Sequence, residues 1–171
     1  MIVFITGGVR SGKSRFAQDM ALRLSAEPVY VATAKVMDEE FALRVRRHQE
    51  ERGPQWTSIE QDRHIASLPL HNRTVVIDCV TLWLSGFFEE DGGDVERSLA
   101  AFRQEIDQIA GMEGTFIIIS NELGMGLHAE TAMGRRFTDL QGWANQYVAS
   151  CAGQVIFMVS GLPLYLKNNT V

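Results

Sequence analysis

Gly7-Gly8-Val9-Arg10-Ser11-Gly12-Lys13-Ser14 fits the phosphate-cradling pattern G-x-x-x-x-G-K-[ST], and that pattern dictates the architecture on both sides of it. It needs a strand before it and a helix after it. The apolar run Ile2-Val3-Phe4-Ile5 supplies the strand, and Phe16, Met20 and Leu24 recur on one helical face beyond it. Glycines let backbone N–H groups turn inward as an anion nest. The following helix aims the positive end of its dipole at the same place. In that setting Gly7, Gly8, Val9, Arg10, Ser11, Gly12, Lys13 and Ser14 are nucleotide-binding candidates. Lys13 reaches for the β- and γ-phosphates, and the Ser14 hydroxyl for Mg²⁺. A glycine-rich turn that merely caps a helix is the plainer alternative, and the strand and helix around it favour the nucleotide.

Five β-rich runs recur: Ile2–Ile5, Val29–Thr33, Thr74–Asp78, Thr115–Ile119 and Gln154–Val159. They are apolar throughout rather than alternating, which suits a parallel sheet buried on both faces. Helical patterns fall between them at Arg15–Ser25, Asp38–Glu51, Asp94–Ala110 and Arg136–Ala152. The third is the clearest, with Asp94 as N-cap, a stripe of Val95, Leu99, Phe102, Ile106 and Ile109, and Gly111 at its end. Trp56–Glu60 and Leu164–Lys167 could add short strands. The expected fold is α/β of the P-loop NTPase type: one domain over residues 1–171, a mostly parallel sheet with helices on both faces, and a RecA-like core.

The chain has 171 residues, 46% hydrophobic and 22% charged, which is ordinary for a globular domain. A net charge of −5 gives no overall basic field and argues against nucleic acid as the main partner. Cys79 and Cys151 have no metal-type spacing and read as buried free thiols. No apolar run reaches the roughly 18 residues of a membrane span, and the first apolar stretch is already a strand rather than a leader. The expectation is a soluble, cytoplasmic protein.

Beyond the loop, Asp78 ends the third apolar run. A carboxylate there holds Mg²⁺ in P-loop enzymes, though it could instead cap the next turn. Asn121-Glu122 follows the fourth run, where side chains face the ligand crevice or cap a helix. Arg44, Arg46, Arg47, His48 and Arg52 cluster around the second helix. The plainer reading is a solvated basic face with His48 packed beside Phe41 and Val45; the cluster could instead bind a polyanion such as a second nucleotide. Arg135-Arg136 offers another phosphate clamp. Glu89–Asp94 is acidic and reads as a solvated surface turn rather than a metal site. No Asn-Lys-x-Asp segment reads guanine and no Asp-x-x-Gly follows the third strand, so GTPase switching is disfavoured. Large motor ATPases do not fit in this length.

Several segments together resemble one family, the bifunctional adenosylcobinamide kinase / adenosylcobinamide-phosphate guanylyltransferases of cobalamin biosynthesis. Thr6 to Arg15 is similar to T-G-G-x-R-S-G-K-S-R, and Tyr30-Val31-Ala32-Thr33-Ala34 to Y-[IV]-A-T-A. Arg44, Arg47-His48 and Trp56 resemble R-I-x-x-H followed by tryptophan, and Asp78 to Trp83 resembles D-C-[LVI]-T-x-W. Asn121 to Gly126 resembles N-E-V-G-x-G. Arg135, Phe137, Asp139, Gly142, Asn145 and Gln146 fit the pattern that follows, and Ser160-Gly161-Leu162-Pro163-Leu164 fits the family's ending. Three departures stand out: Ala129 replaces a frequent Pro, Gly86 a frequent Asn, and Arg47 the first of two adjacent histidines in some members.

The resemblance implies two reactions. ATP or GTP phosphorylates adenosylcobinamide, and GTP then donates GMP to adenosylcobinamide phosphate, releasing pyrophosphate. It makes His48 the nucleophile that carries GMP, with Lys13 as the other catalytic residue. It implies that Ala32, Thr33, Ala34, Gln49, Glu50, Glu51, Arg52 and Glu60 line the nucleotide site, and that Ser14 and Asp78 hold Mg²⁺. It implies a homo-oligomer, a trimer among the forms, and a corrinoid face for which Leu82, Trp83, Phe87 and Phe88 are candidates alongside a core role. Two readings compete: a simple nucleoside-type P-loop kinase with an incidental His48, and a non-catalytic nucleotide-sensing module.

Overall fold

Successive residues of the apolar strands point to opposite sides of one sheet, so each strand feeds two cores. The computed structural model describes residues 1–34 and 53–168. Its strands are β1 (Ile2–Gly7), β2 (Val29–Ala32), β3 (Thr57–Glu60), β4 (Arg73–Asp78), β5 (Gly114–Ile119), β6 (Gln154–Val159) and β7 (Leu162–Asn168). They lie in the order β3-β2-β4-β5-β1-β6-β7. The first six in that order run parallel, and β7 pairs antiparallel with β6. A chain entering by β1 and returning by parallel crossovers lands its strand ends, and the loops after them, along one edge.

The described helices are α1 (Lys13–Leu24), α2 (Val80–Glu90), α3 (Val95–Ala110) and α4 (Ala132–Cys151), with a 3₁₀ turn at Ile65–Ser67. Val3, Ile5, Val76, Ile117 and Ile119 pack against Ala17 and Ala21 of α1. On the other face, Ile2, Phe4, Ile77 and Phe116 pack with residues of α2, α3 and α4. The helix expected over Asp38–Glu51 falls on residues outside those described. The chain solves α3 as its sequence dictates: the Asp94 side chain accepts from the Arg97 N–H at 3.1 Å and caps it. Helix α4 begins four residues before Arg136, because Thr131 caps it through the Gly134 N–H at 3.0 Å.

Two expectations change. Residues 80–90 form a helix that the strand-and-helix reading did not identify. Val80, Trp83, Leu84, Phe87 and Phe88 make its buried stripe, so these aromatics form core and not a corrinoid-facing surface. Of the acidic segment, Glu89 and Glu90 end α2, and only residues 91–93 turn, leading to the Asp94 cap of α3. Asp91 pairs with Arg97 at 3.2 Å and accepts from Ser98, and Gly92 and Gly93 take positive φ. Cys79 is buried, whereas Cys151 is only half-buried, and both are free. Strand β7 extends beyond Leu164–Lys167 at both ends. As a sheet edge it leaves Leu162, Leu164, Tyr165 and Leu166 exposed.

Trp83 is the largest fully buried side chain and meets Phe102 edge-on, ring centroids 5.0 Å apart. Its indole N–H has no partner among the described residues. Trp83→Ala therefore lowers unfolding stability by about 3–5 kcal/mol through the cavity it leaves. Trp83→Phe costs less than half as much, since no hydrogen bond is lost with the indole. Urea unfolding of the two variants checks the ratio, and equal losses would contradict this account.

Candidate functional site

The loop after β1 is shaped by how close it comes to β6. A Cβ on Gly7 would sit 2.5 Å from the Met158 carbonyl oxygen, so only glycine fits. Gly12 has φ 95° and lies against the Gly161 backbone. Arg10 also takes positive φ, at 56°. Three backbone bonds hold the loop: Ser11 N–H to Gly8 O at 3.3 Å, Gly161 N–H to Ser11 O at 3.0 Å, and Glu122 N–H to Gly7 O at 3.0 Å. Helix α1 starts at once, with Gly12 as its N-cap and no side-chain cap, so its first N–H groups remain for a ligand.

Lys13 folds back into the loop and donates to Gly8 O at 2.6 Å. It is almost wholly buried. Burial lowers its pKa below the usual value of 10.5, while the Asp78 carboxylate pulls the other way. Asp78, at the end of β4, lies across β5 from the loop, and its side chain still reaches Ser14. Ser14 Oγ donates to Asp78 Oδ2 at 2.8 Å, and the Tyr30 hydroxyl donates to the same oxygen at 2.7 Å. Tyr30 opens the family-like segment Tyr30–Ala34, but its polar tip finds this partner only once β2 lies beside β4.

Thr33 lies at the same strand ends. Its hydroxyl donates to Cys79 O and accepts from Cys79 N–H, both at 2.7 Å, which locks β2 to β4. Thr33 therefore aligns the strand ends instead of offering its hydroxyl to a ligand, and Ala32 and Ala34 flank it half-buried. The Cys79 thiol is pushed up to about 12 by burial and then by the Asp78 charge, so it stays a thiol.

Glu60 ends β3, the edge strand beside β2. It is in register with Ala32, which in turn pairs with Asp78, so it sits two strands from Asp78 and four from β1. Arg135 spends its guanidinium on Ala129 O and Glu130 O, at 3.2 and 2.8 Å, so it braces a loop and is not poised as a phosphate clamp. His48, Gln49, Glu50, Glu51 and Arg52, with Arg44, Arg46 and Arg47, lie outside the described residues.

Beside the loop a cleft of about 560 Å³ opens between Gly8–Ser11, Glu122, Met125 and the end of β6. Behind Glu122 lies a buried polar cluster. Ser120 Oγ donates to Asn145 Oδ1 at 2.6 Å, Gln141 Nε2 donates to both, and Asn145 Nδ2 donates to Asn121 O at 3.1 Å. Gln141 and Asn145, four apart on the inward face of α4, were the one legible signal of it. No group of three or more metal-ligating His, Cys, Asp or Glu side chains occurs among the described residues. None of their helices is long and apolar enough to cross a membrane.

Comparison with known proteins bears on what this site serves. The family model described as cobinamide kinase / cobinamide phosphate guanyltransferase matches residues 3–166. The bifunctional adenosylcobalamin biosynthesis protein CobU of Escherichia coli (strain K12) is 32% identical over 183 residues, covering 98% of this chain and 100% of the relative. The bifunctional adenosylcobalamin biosynthesis protein CobP of Pseudomonas aeruginosa is 34% identical over 167 residues, covering 95% of each. Among solved structures, the flagellar accessory protein FlaH of Methanocaldococcus jannaschii superposes with a TM-score of 0.50 at 13% identity, over 98% of this chain and 78% of that one. That likeness speaks for the fold alone, a mostly parallel sheet flanked by helices.

The buried lysine carries a measurable signature. Its folded pKa lies below 10.5, so in that window the unfolded chain holds more protons than the folded one. Stability must then rise with pH from the folded pKa up to the unfolded value. Lys13→Met removes this component. In ligand-free protein, urea unfolding stepped through alkaline pH shows wild type gaining on the variant as pH rises. Parallel curves would mean that Lys13 is not desolvated.

Proposed function

The chain belongs to the cobinamide kinase / cobinamide phosphate guanyltransferase family, and on that premise we propose how its residues divide the family's two reactions. The protein is a bifunctional transferase, an adenosylcobinamide kinase and adenosylcobinamide-phosphate guanylyltransferase of cobalamin biosynthesis. The observation that supports the kinase assignment is the convergence of Lys13, Ser14 and Asp78 on the glycine loop.

In the phosphoryl transfer the loop N–H groups and the start of α1 hold the phosphates of ATP or GTP. Lys13 exchanges the Gly8 carbonyl for phosphate oxygens, and its burial leaves it little water to compete. A hydroxyl and a carboxylate 2.8 Å apart are hard oxygen donors that fit Mg²⁺, so Ser14 and Asp78 would hold it. When bound, that ion offsets the charge developing on the phosphates. Tyr30 steadies the Asp78 oxygen that Ser14 also uses.

In the guanylyl transfer, His48 attacks the α-phosphorus of GTP. A P–N bond forms and pyrophosphate leaves. A phosphate oxygen of adenosylcobinamide phosphate then takes the GMP, and the imidazole is released. This role comes from the family resemblance, as do those of Gln49, Glu50, Glu51 and Arg52. Glu60, two strands beyond Asp78, suits a contact to the far end of a nucleotide or to a second nucleotide. We take residues 1–171 as one nucleotide-binding domain that works as a cytoplasmic homo-oligomer.

The test uses α-labelled GTP with Mg²⁺ and no corrinoid, quenched in alkali because a histidine phosphoramidate is acid-labile. Wild type takes label and passes it to adenosylcobinamide phosphate, and His48→Ala takes none. Full labelling of His48→Ala would end the nucleophile assignment. Lys13→Ala lowers kinase turnover by at least about a hundredfold, and an unchanged rate would end the loop assignment.

A further inference from the structure

Taking the kinase half of that activity as given, we propose that Glu122 is the base that receives the proton of the acceptor hydroxyl, and that Asn145 is the residue that positions it. Strand β5 lies between β1 and β4 in the sheet. A residue leaving its C-terminal end therefore emerges between the phosphate loop and Asp78. Glu122 does so, three residues past Ile119, and its backbone N–H is bonded to Gly7 O at 3.0 Å. Its half-buried side chain lines the cleft that Gly8–Ser11 form.

Among the described residues, the other carboxylate beside the loop is already engaged: Asp78 accepts from Ser14 and Tyr30. Lys13 donates to Gly8 O, and Arg10 of the cleft lining can only donate. Glu60 ends the edge strand β3, two strands beyond Asp78. No Lys or Arg among the described residues forms an ion pair with Glu122. Its two partners are both donors, Gly124 N–H to Oε1 at 3.3 Å and Asn145 Nδ2 to Oε2 at 3.5 Å, which suits a carboxylate that can only accept.

Asn145 cannot turn its amide around. Its Oδ1 already receives Ser120 Oγ and Gln141 Nε2, so its Nδ2 must face Asn121 O and Glu122. Hydrogen bonds among its members offset the cost of burying this polar cluster and make it rigid. It ends on the Glu122 carboxylate. Immediately beyond, Met125 is 75% exposed and Leu127 fully exposed. That apolar rim beside a polar cleft suits a large acceptor that presents an alcohol at its edge.

The step balances. Glu122 takes the hydroxyl proton as the hydroxyl oxygen bonds to the γ-phosphorus of the nucleoside triphosphate. The bond from that phosphorus to the β,γ-bridging oxygen breaks, and the nucleoside diphosphate leaves with the electron pair. General-base help of this kind is worth roughly 10²–10⁴-fold.

The experiment assays each half-reaction separately, with adenosylcobinamide phosphate supplied directly for guanylyl transfer, and follows nucleotide binding alongside. Glu122→Gln is expected to lose kinase kcat by at least about a hundredfold while nucleotide binding and guanylyl transfer persist. Asn145→Ala is expected to lower kinase kcat about tenfold with little change in the KM for nucleotide, a split that general loosening of the fold would not give. If Glu122→Gln does not fold, Glu122→Asp replaces it, with the kinase again falling further than guanylyl transfer. Kinase kcat within threefold of wild type overturns the proposal, as does parallel loss of both activities with nucleotide binding. A wild-type protein that binds nucleotide but phosphorylates no adenosylcobinamide overturns the kinase reading itself, which separates the two failures.

Discussion

Gly7 presses its bare α-carbon against the Met158 carbonyl, and the position of everything chemical follows from that approach. With β1 held this tightly to β6, the chain leaves β1 turning outward over the sheet edge. The turn makes the loop, the loop launches α1, and α1 sets Ser14 within reach of Asp78. Burial then acts on the result: it strips water from Lys13 and keeps the Cys79 thiol protonated. Packing and electrostatics are thus one argument here, because the contact that fixes the geometry also excludes the solvent.

The strand order distributes the polar groups along the C-terminal edge. Asp78 and Glu122 come from neighbouring strands and flank the loop from one side, while Gly161 closes it from the other. The hydrogen bonds that tie β2 to β4 through Thr33 and Cys79 hold Tyr30 against Asp78. None of these side chains works alone; each is set by a partner one or two strands away.

Much of this was legible in the sequence. The central strands were readable because they are buried on both faces and therefore apolar without interruption. The phosphate loop was readable because its chemistry admits few residues. Helix α2 was not, since Val80–Phe88 is mostly apolar, is interrupted by Gly86, and starts from Cys79 with no side-chain cap. Its aromatics looked equally fit for a surface or a core until the helix stripe decided for core. The Tyr30–Asp78 contact and the place of Glu60, on the edge strand beside Ala32, depend on strand order, which no local pattern encodes. Arg135 looked like a phosphate ligand by residue type alone; only the fold reveals the two carbonyls it serves.

The bond from Gly161 N–H to Ser11 O joins residues 150 apart in the chain. The phosphate loop leaves the ribosome well before its outer wall does. During synthesis the loop must wait, open on one side, until β6 and the turn into β7 arrive to close it. A nascent chain halted before residue 161 would carry the whole glycine motif and still lack the completed cradle, so competence to grip a phosphate belongs to the finished polypeptide and not to its signature.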